Sequence, residues 1–390
     1  MRAVVIGAGL AGLAAGEMLA EAGAEVTTLE ARDRVGGRVW SQRLANGCVV
    51  ERGAEFVTDG YQLVPETAAR LGLRLAPMGM SFSHREPRGG IGAGEQELDH
   101  GVQAVADAVA AGDGAGRTVS QLLAALPLAD GVRELIACRI EVTYAHPAER
   151  IAAEAVRDAG HLFAHDQGRR IDGGNGQLAE RLARGRVLTS TPGRSVSAAG
   201  GRLLVNGALE ADAVVVAVPA PAVLSIAFDP PLPDAKRRAL GSVVYGHAAK
   251  LAAPLAAPAP PSSVLSVPER FWTWTALDGA GGEAPVVGCF AGSQPALSEL
   301  AVEQDAQRWL QRLAALRPDL VLEADGALLT TWPEGAYSTR EGAGFDPEPA
   351  EPVGSIAFAG EHTEEIWFAT MEGALRSGRR AASQLLSSSA

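Results

Sequence analysis

The first thirty residues constrain this chain more than any other part of it. An apolar run, Ala3-Val4-Val5-Ile6, leads into Gly7-Ala8-Gly9-Leu10-Ala11-Gly12, and an Ala/Leu-rich stretch of helical character continues through Ala22. A second β-type run, Glu25-Val26-Thr27-Thr28-Leu29, then ends at Glu30. This is a β-α-β unit with G-x-G-x-x-G at the strand-to-helix turn. In such a unit Gly7 permits the tight turn, Gly9 lets backbone approach a pyrophosphate, and Gly12 lets helix and strand pack closely. The phosphates meet free N–H groups and the positive end of the helix dipole at Leu10 and Ala11. Glu30 stands about 20 residues on, where a carboxylate accepts hydrogen bonds from ribose hydroxyls. With 46 glycines in the chain a lone match carries little weight. Here strand, helix and acidic residue all fall in place, and the carboxylate favours NAD or FAD over NADP.

A length of 390 residues predicts two interleaved domains. The apolar share of 47% and the charged share of 21% are ordinary for a globular chain with a large core. A net charge of -12 argues against nucleic acid or an anionic membrane surface as partner, because both need basic patches. Cys48, Cys138 and Cys289 lie far apart without CxxC spacing, which predicts a reducing compartment, no disulfide framework and no metal site. No apolar run approaches the roughly 20 residues that span a bilayer. Met1-Arg2 lead straight into a strand rather than a cleavable leader, so the expected location is cytoplasmic. Nearly every basic residue is arginine, and the two lysines are Lys236 and Lys250.

The residues after Glu30 separate FAD from NAD. Ala31-Arg32-Asp33-Arg34-Val35-Gly36-Gly37-Arg38 resembles the E-A-R-x-R-x-G-G-R run of glutathione-reductase-type FAD proteins, and specifically of the flavin amine oxidase superfamily. The resemblance implies that Gly36 and Gly37 run close to the flavin nucleotide, with Arg32 and Arg38 near its phosphates. Glu51-Arg52-Gly53-Ala54-Glu55-Phe56 is similar to the next family segment, which passes near the isoalloxazine ring. The fold class expected is α/β: a Rossmann-type FAD-binding domain interleaved with an α+β substrate-binding domain.

The interleaving divides the chain into five stretches. Residues 1–75 open the FAD domain, and 76–170 form a helical part that covers the substrate. Residues 171–230 return to the FAD domain, 231–330 build a substrate-binding sheet, and 331–390 close the FAD domain. Helical spacing is visible over Gly101–Ala111 and Val119–Leu126. His84, His100, His146, His161 and His165 are scattered without ligand spacing and read as solvated or capping residues. Gly200-Gly201 reads as a hairpin turn. Ala211–Pro219 resembles the family's buried strand that ends in proline, and Gly193 falls where relatives contact the adenine.

Lys250 is the sharpest candidate for chemistry. It sits in the otherwise apolar Val243–Leu251, where a buried ammonium is costly unless it is paired or functional. In the resembling family, a lysine of this G-x-x-x-K pattern holds a water against flavin N5. Lys236, in Asp234-Ala235-Lys236-Arg237-Arg238, reads as part of a solvated helix face.

The carboxy-terminal part carries the remaining motifs. Trp332-Pro333-Glu334-Gly335-Ala336-Tyr337 is similar to the family's W-x-x-G-x-Y segment beside the flavin. Phe358-Ala359-Gly360-Glu361-His362-Thr363 and Met371-Glu372-Gly373-Ala374-Leu375-Arg376-Ser377-Gly378 resemble its closing F-A-G-E-x-T and M-E-G-A-x-x-S-G elements. There the helix amino terminus, with Thr370, Met371 and Ala374, faces the flavin, and Glu361 contacts the nucleotide. Two departures stand out. Ala336 replaces the cysteine that some relatives bond to the flavin, so non-covalent FAD is expected. Tyr337 fits the first tyrosine of an aromatic amine cage, but Thr370 stands where the second would be. Trp332, Trp367 and Phe368 are candidates for other walls.

The resemblance implies oxidation of the carbon next to the nitrogen of a small-molecule amine, with hydride passing to flavin N5. An imine then hydrolyses, and molecular oxygen reoxidises the flavin to give hydrogen peroxide. An amino-acid oxidase or a carbon–carbon desaturase on the same scaffold, and a non-enzymatic flavin-binding protein, are the alternatives. Homo-oligomerisation is left open.

Overall fold

The computed structural model describes residues 1–156, 162–163, 166–340 and 346–388, without the side chains of 333–340. Two sheets position the site. The first has five strands in the order Ile356–Phe358, Ala213–Val216, Arg2–Ile6, Glu25–Leu29 and Arg186–Leu188. Every neighbouring pair is parallel. Such a sheet is covered on both faces, so its strands are near-continuous apolar runs. Ala3 and Val5 pack on one face against Ala15 and Leu19 of the helix Leu10–Glu21 and Leu385 of the helix Met371–Ser388. Val4 and Ile6 face the other way, into a core with Val196, Val205 and Phe358. The first, middle and last parts of the sequence therefore meet in one sheet.

The second sheet is ordered Leu328–Arg340, Val243–Pro254, Glu283–Gly292, Phe271–Leu277, Ser262–Ser266 and Glu86–Arg88. Its pairs are antiparallel except the last, which is parallel. Period-2 alternation divides Phe271–Leu277 between two clusters. Phe271 packs under the helix Gln307–Leu316 against Trp309, while Trp272 and Trp274 point the other way. Helices Glu95–Ala110, Val119–Ala125 and Asp130–Tyr144 form a separate core around Val105, Leu122 and Ile136.

The hairpin expected at Gly200-Gly201 joins Ser195–Ala199 to Arg202–Val205, and both glycines have positive φ. Two expectations are corrected. Lys236 is fully buried rather than solvated: its ammonium donates to Glu348 O at 2.5 Å and lies 4.3 Å from the Phe358 ring centre. Burial lowers its pKa to about 8. His146 is likewise buried. His161 and His165 lie outside the described residues. Among the described residues no helix is long and apolar enough to cross a membrane.

Candidate active site

The glycine-rich turn has the geometry its sequence demands. Gly7 has φ +105°, and a Cβ there would stand 2.6 Å from Ala217 O. A Cβ on Gly12 would stand 1.9 Å from Gly7 O, so only glycine lets the helix start this close to the strand. Gly9 differs. A Cβ there would meet no protein atom within 4 Å, because Gly9 borders open space.

That space is one cavity of about 1680 Å³, above the several hundred typical of a small-ligand pocket and roomy enough for a dinucleotide with a second molecule. It starts at Gly7, Gly9, Leu10, Ala11, Glu30, Ala31 and Arg32 and runs past Gly36, Gly37, Arg38 and Gly193. It continues along Gly53, Ala54, Glu55, Phe56, Lys250 and Trp332, and Gly360, Glu361, Thr370, Met371 and Ala374 line it too. Gly12 stands behind the wall, and the Tyr337 side chain lies outside the described residues. Tyr337 lies in the strand next to the lysine strand, where its backbone pairs with Gly246 of that lysine strand.

Glu30 is 5% exposed, and its carboxylate accepts Ala8 N at 2.8 Å and Arg32 N at 2.9 Å. A carboxylate offers about four acceptor positions, so these two bonds orient it while leaving capacity for ribose hydroxyls. Arg38 and Glu361 form an ion pair at 2.6 Å. Burial opposes the Arg38 charge, but the adjoining Glu361 outweighs it and its pKa rises above the ordinary value. Thr370 caps the carboxy-terminal helix: its hydroxyl accepts Gly373 N at 3.0 Å and donates to Trp367 O at 2.6 Å. That assignment explains the missing second tyrosine, since the position fixes the helix end instead of building a cage. The open Gly9, the oriented Glu30 and this helix terminus together fit a bound FAD.

Lys250 is 8% exposed, and its ammonium donates to Gly53 O at 3.0 Å and Glu55 Oε2 at 2.7 Å. Around it stands an aromatic wall that the sequence reading did not assemble. Phe56 lies 4.9 Å from Trp272 and 5.0 Å from Phe82, and Trp272 lies 4.3 Å from Trp274. With Phe290 these rings line the cavity, and so do Trp332, Trp367 and Phe368. The readable clue was F-W-T-W-T, whose alternation places two tryptophans on one face. Arg85 was missed altogether. It is buried, lines the same part of the cavity, and lies 3.7 Å from the Trp272 ring centre.

Comparison with known proteins agrees with this geometry. The profile of the flavin containing amine oxidoreductase family matches residues 10–103 and 135–386. The AofH protein of Mycobacterium tuberculosis is 28% identical over 98% of this chain and 96% of its own length. Amine oxidase [flavin-containing] B of Bos taurus is 26% identical, covering 98% of this chain and 85% of its own. A putrescine oxidase bound to putrescine superposes with TM-score 0.83 at 22% identity, covering 99% of each chain. Cyclohexylamine oxidase from Brevibacterium oxydans does so with TM-score 0.83 at 21% identity, also over 99% of each. The two structures share the fold, and the profile, which takes in the glycine-rich helix, the lysine strand and the closing helix, decides the family: this chain belongs to the flavin-containing amine oxidoreductases.

Proposed function

We propose that this protein is an oxidase of small-molecule amines that holds FAD non-covalently and uses molecular oxygen as final acceptor. The observation that carries the reading is a single cavity joining the glycine-rich turn and Glu30 to the buried Lys250 and its aromatic wall. FAD, when bound, supplies the hydride acceptor and passes the electrons on to oxygen with release of hydrogen peroxide. The turn at Gly7–Gly12 and the helix behind it would bind the pyrophosphate, and Glu30 the ribose. Arg38, Glu361 and the terminus at Thr370–Ala374 would hold the remainder. Position 336 is alanine, and none of the three cysteines lines the cavity, which supports non-covalent binding.

The chain's own part is positioning and exclusion of water. Phe56, Phe82, Trp272, Trp274 and Phe290 offer apolar surface in which a neutral amine is favoured over its ammonium. That is the form whose nitrogen lone pair assists loss of hydride from the adjacent carbon. Lys250 has three N–H donors, and two are spent on Gly53 and Glu55. The third is free to hold a water at the cavity, as the family resemblance implies.

Arg85 favours a second reading, in which the amine also carries a carboxylate that the guanidinium receives. A peroxide assay over simple amines and amino acids, with identification of the carbonyl product, tests both. Peroxide with a carbonyl from either group supports an oxidase of that group. No peroxide from any member with flavin bound contradicts the reading.

A further inference from the structure

We propose that Glu55 is the positioning residue for Lys250, the group that fixes the ammonium in the cavity wall and leaves one N–H directed at bound reactants. The inference rests on the amine oxidase reading above and adds a residue to it.

Lys250 belongs to the strand Val243–Pro254 of the second sheet, whereas Glu55 follows the strand Val49–Glu51, which pairs with Ser41–Arg43 in a separate two-stranded sheet. Their contact at 2.7 Å therefore joins two separate sheets across 195 positions of sequence. Glu55 cannot turn away, because its second oxygen is held as well. Oε1 accepts Trp274 Nε1 at 3.3 Å and Arg170 Nη1 at 3.4 Å. Both partners of the ion pair are buried, and the Glu55 side chain is 5% exposed. A lysine side chain carries about 2 kcal/mol of rotamer entropy, so it holds one position only where strong partners fix it. Gly53 O alone is a neutral acceptor, and a buried ammonium left with it would be poorly compensated. The carboxylate supplies the missing charge and a direction.

The same contacts argue against Glu55 as the anchor for a substrate ammonium. Three donors from Lys250, Trp274 and Arg170 already hold its two oxygens and leave about one acceptor position, and the reacting amine is neutral and needs no carboxylate counter-charge. Glu55 thus acts through Lys250 rather than on the reactants.

The chain's two lysines make the contact directly observable. In FAD-loaded protein labelled with [13Cε]lysine, Lys250→Met assigns the two resonances. Glu55→Gln is expected to move the Lys250 line and leave the Lys236 line in place. In anaerobic mixing with an amine, Glu55→Gln should lower the limiting rate of flavin reduction by about 10- to 100-fold, the cost of a displaced reacting group. The substrate dissociation constant and the FAD dissociation constant should stay within about twofold, less than 0.5 kcal/mol. In the Lys250→Met background the same substitution should cost nothing further. An unmoved Lys250 line, or losses that multiply fully in the double variant, would overturn the proposal. Should Glu55→Gln fail to fold, Trp274→Phe removes one donor to Oε1 and keeps every charge; it must shift the same resonance, and a silent result there counts against Glu55. If no amine reduces the wild-type flavin, the oxidase reading fails, and the resonance experiment still decides the Glu55–Lys250 contact.

Discussion

Arg38 and Glu361 meet at 2.6 Å although 323 positions separate them in the sequence. The carboxylate also accepts Ala369 N at 2.7 Å, so Glu361 ties the early arginine run to the segment preceding the last helix. Only the Glu361 side of this pair is buried, and removing it leaves Arg38, about a quarter exposed, without its carboxylate. Glu361→Ala should lower the melting temperature and weaken FAD by about tenfold or more, roughly 1.4 kcal/mol, measured by fluorescence titration of the apoprotein. Unchanged FAD affinity would take this pair out of the cofactor site.

Gly9 offers a cleaner test of where the pyrophosphate lies. Because a Cβ there touches no protein atom, Gly9→Val should leave the unfolding free energy of the apoprotein within about 0.5 kcal/mol of wild type, as an unobtrusive substitution does. It should nevertheless abolish FAD retention through gel filtration. Normal flavin content in this variant would place the phosphates elsewhere.

The contrast between these two sites shows what the sequence carries openly. The Gly7–Gly12 turn and Glu30 are legible because their chemistry is local: backbone shape and one carboxylate within thirty residues. Lys250 is legible because a lone lysine in an apolar strand must be paired or used. The aromatic wall and Arg85 are not, since Phe56, Phe82, Trp272, Trp274 and Phe290 converge only when the second sheet closes against the first half of the site. Lys236 misleads for a related reason. Its neighbours Arg237 and Arg238 suggest a solvated face, and only the tertiary fold brings Glu348 O and Phe358 over its ammonium. Thr370 looks like an absence until its cap is seen.

Glu51 gives a prediction about pH. Burial raises its pKa from 4.5 to about 7, although Ser41 Oγ and Asn175 N both donate to it at 2.7 Å. The folded protein then binds a proton that the unfolded chain has released, so this group costs stability as pH rises from about 4.5 to 7 and the cost stays constant above. Glu51→Gln should be more stable than wild type at pH 8 by up to about 3 kcal/mol. The difference should vanish toward pH 4.5, as read by denaturant melts of the FAD-loaded proteins. A difference that does not vary with pH would remove the titration of Glu51 as its cause.

Arg85 separates the two substrate readings. Arg85→Met keeps a long apolar side chain against Trp272 while deleting the guanidinium. It should raise KM for carboxylate-bearing amines by about tenfold or more, the worth of a charge-assisted hydrogen bond, and leave simple amines within about threefold. Equal effects on both groups would make Arg85 a wall residue only.

On the proposed function, one cavity holds FAD and presents an amine to it beside Lys250. The most direct measurement is the visible spectrum of the purified protein, taken anaerobically before and after an amine is added and again after air is admitted. The flavin bands should bleach with amine and return with oxygen, and the bleaching rate should be at least about tenfold lower in Lys250→Met, more than 1.4 kcal/mol of barrier. Flavin bands that no amine or amino acid bleaches, or a protein that carries no flavin, would contradict it.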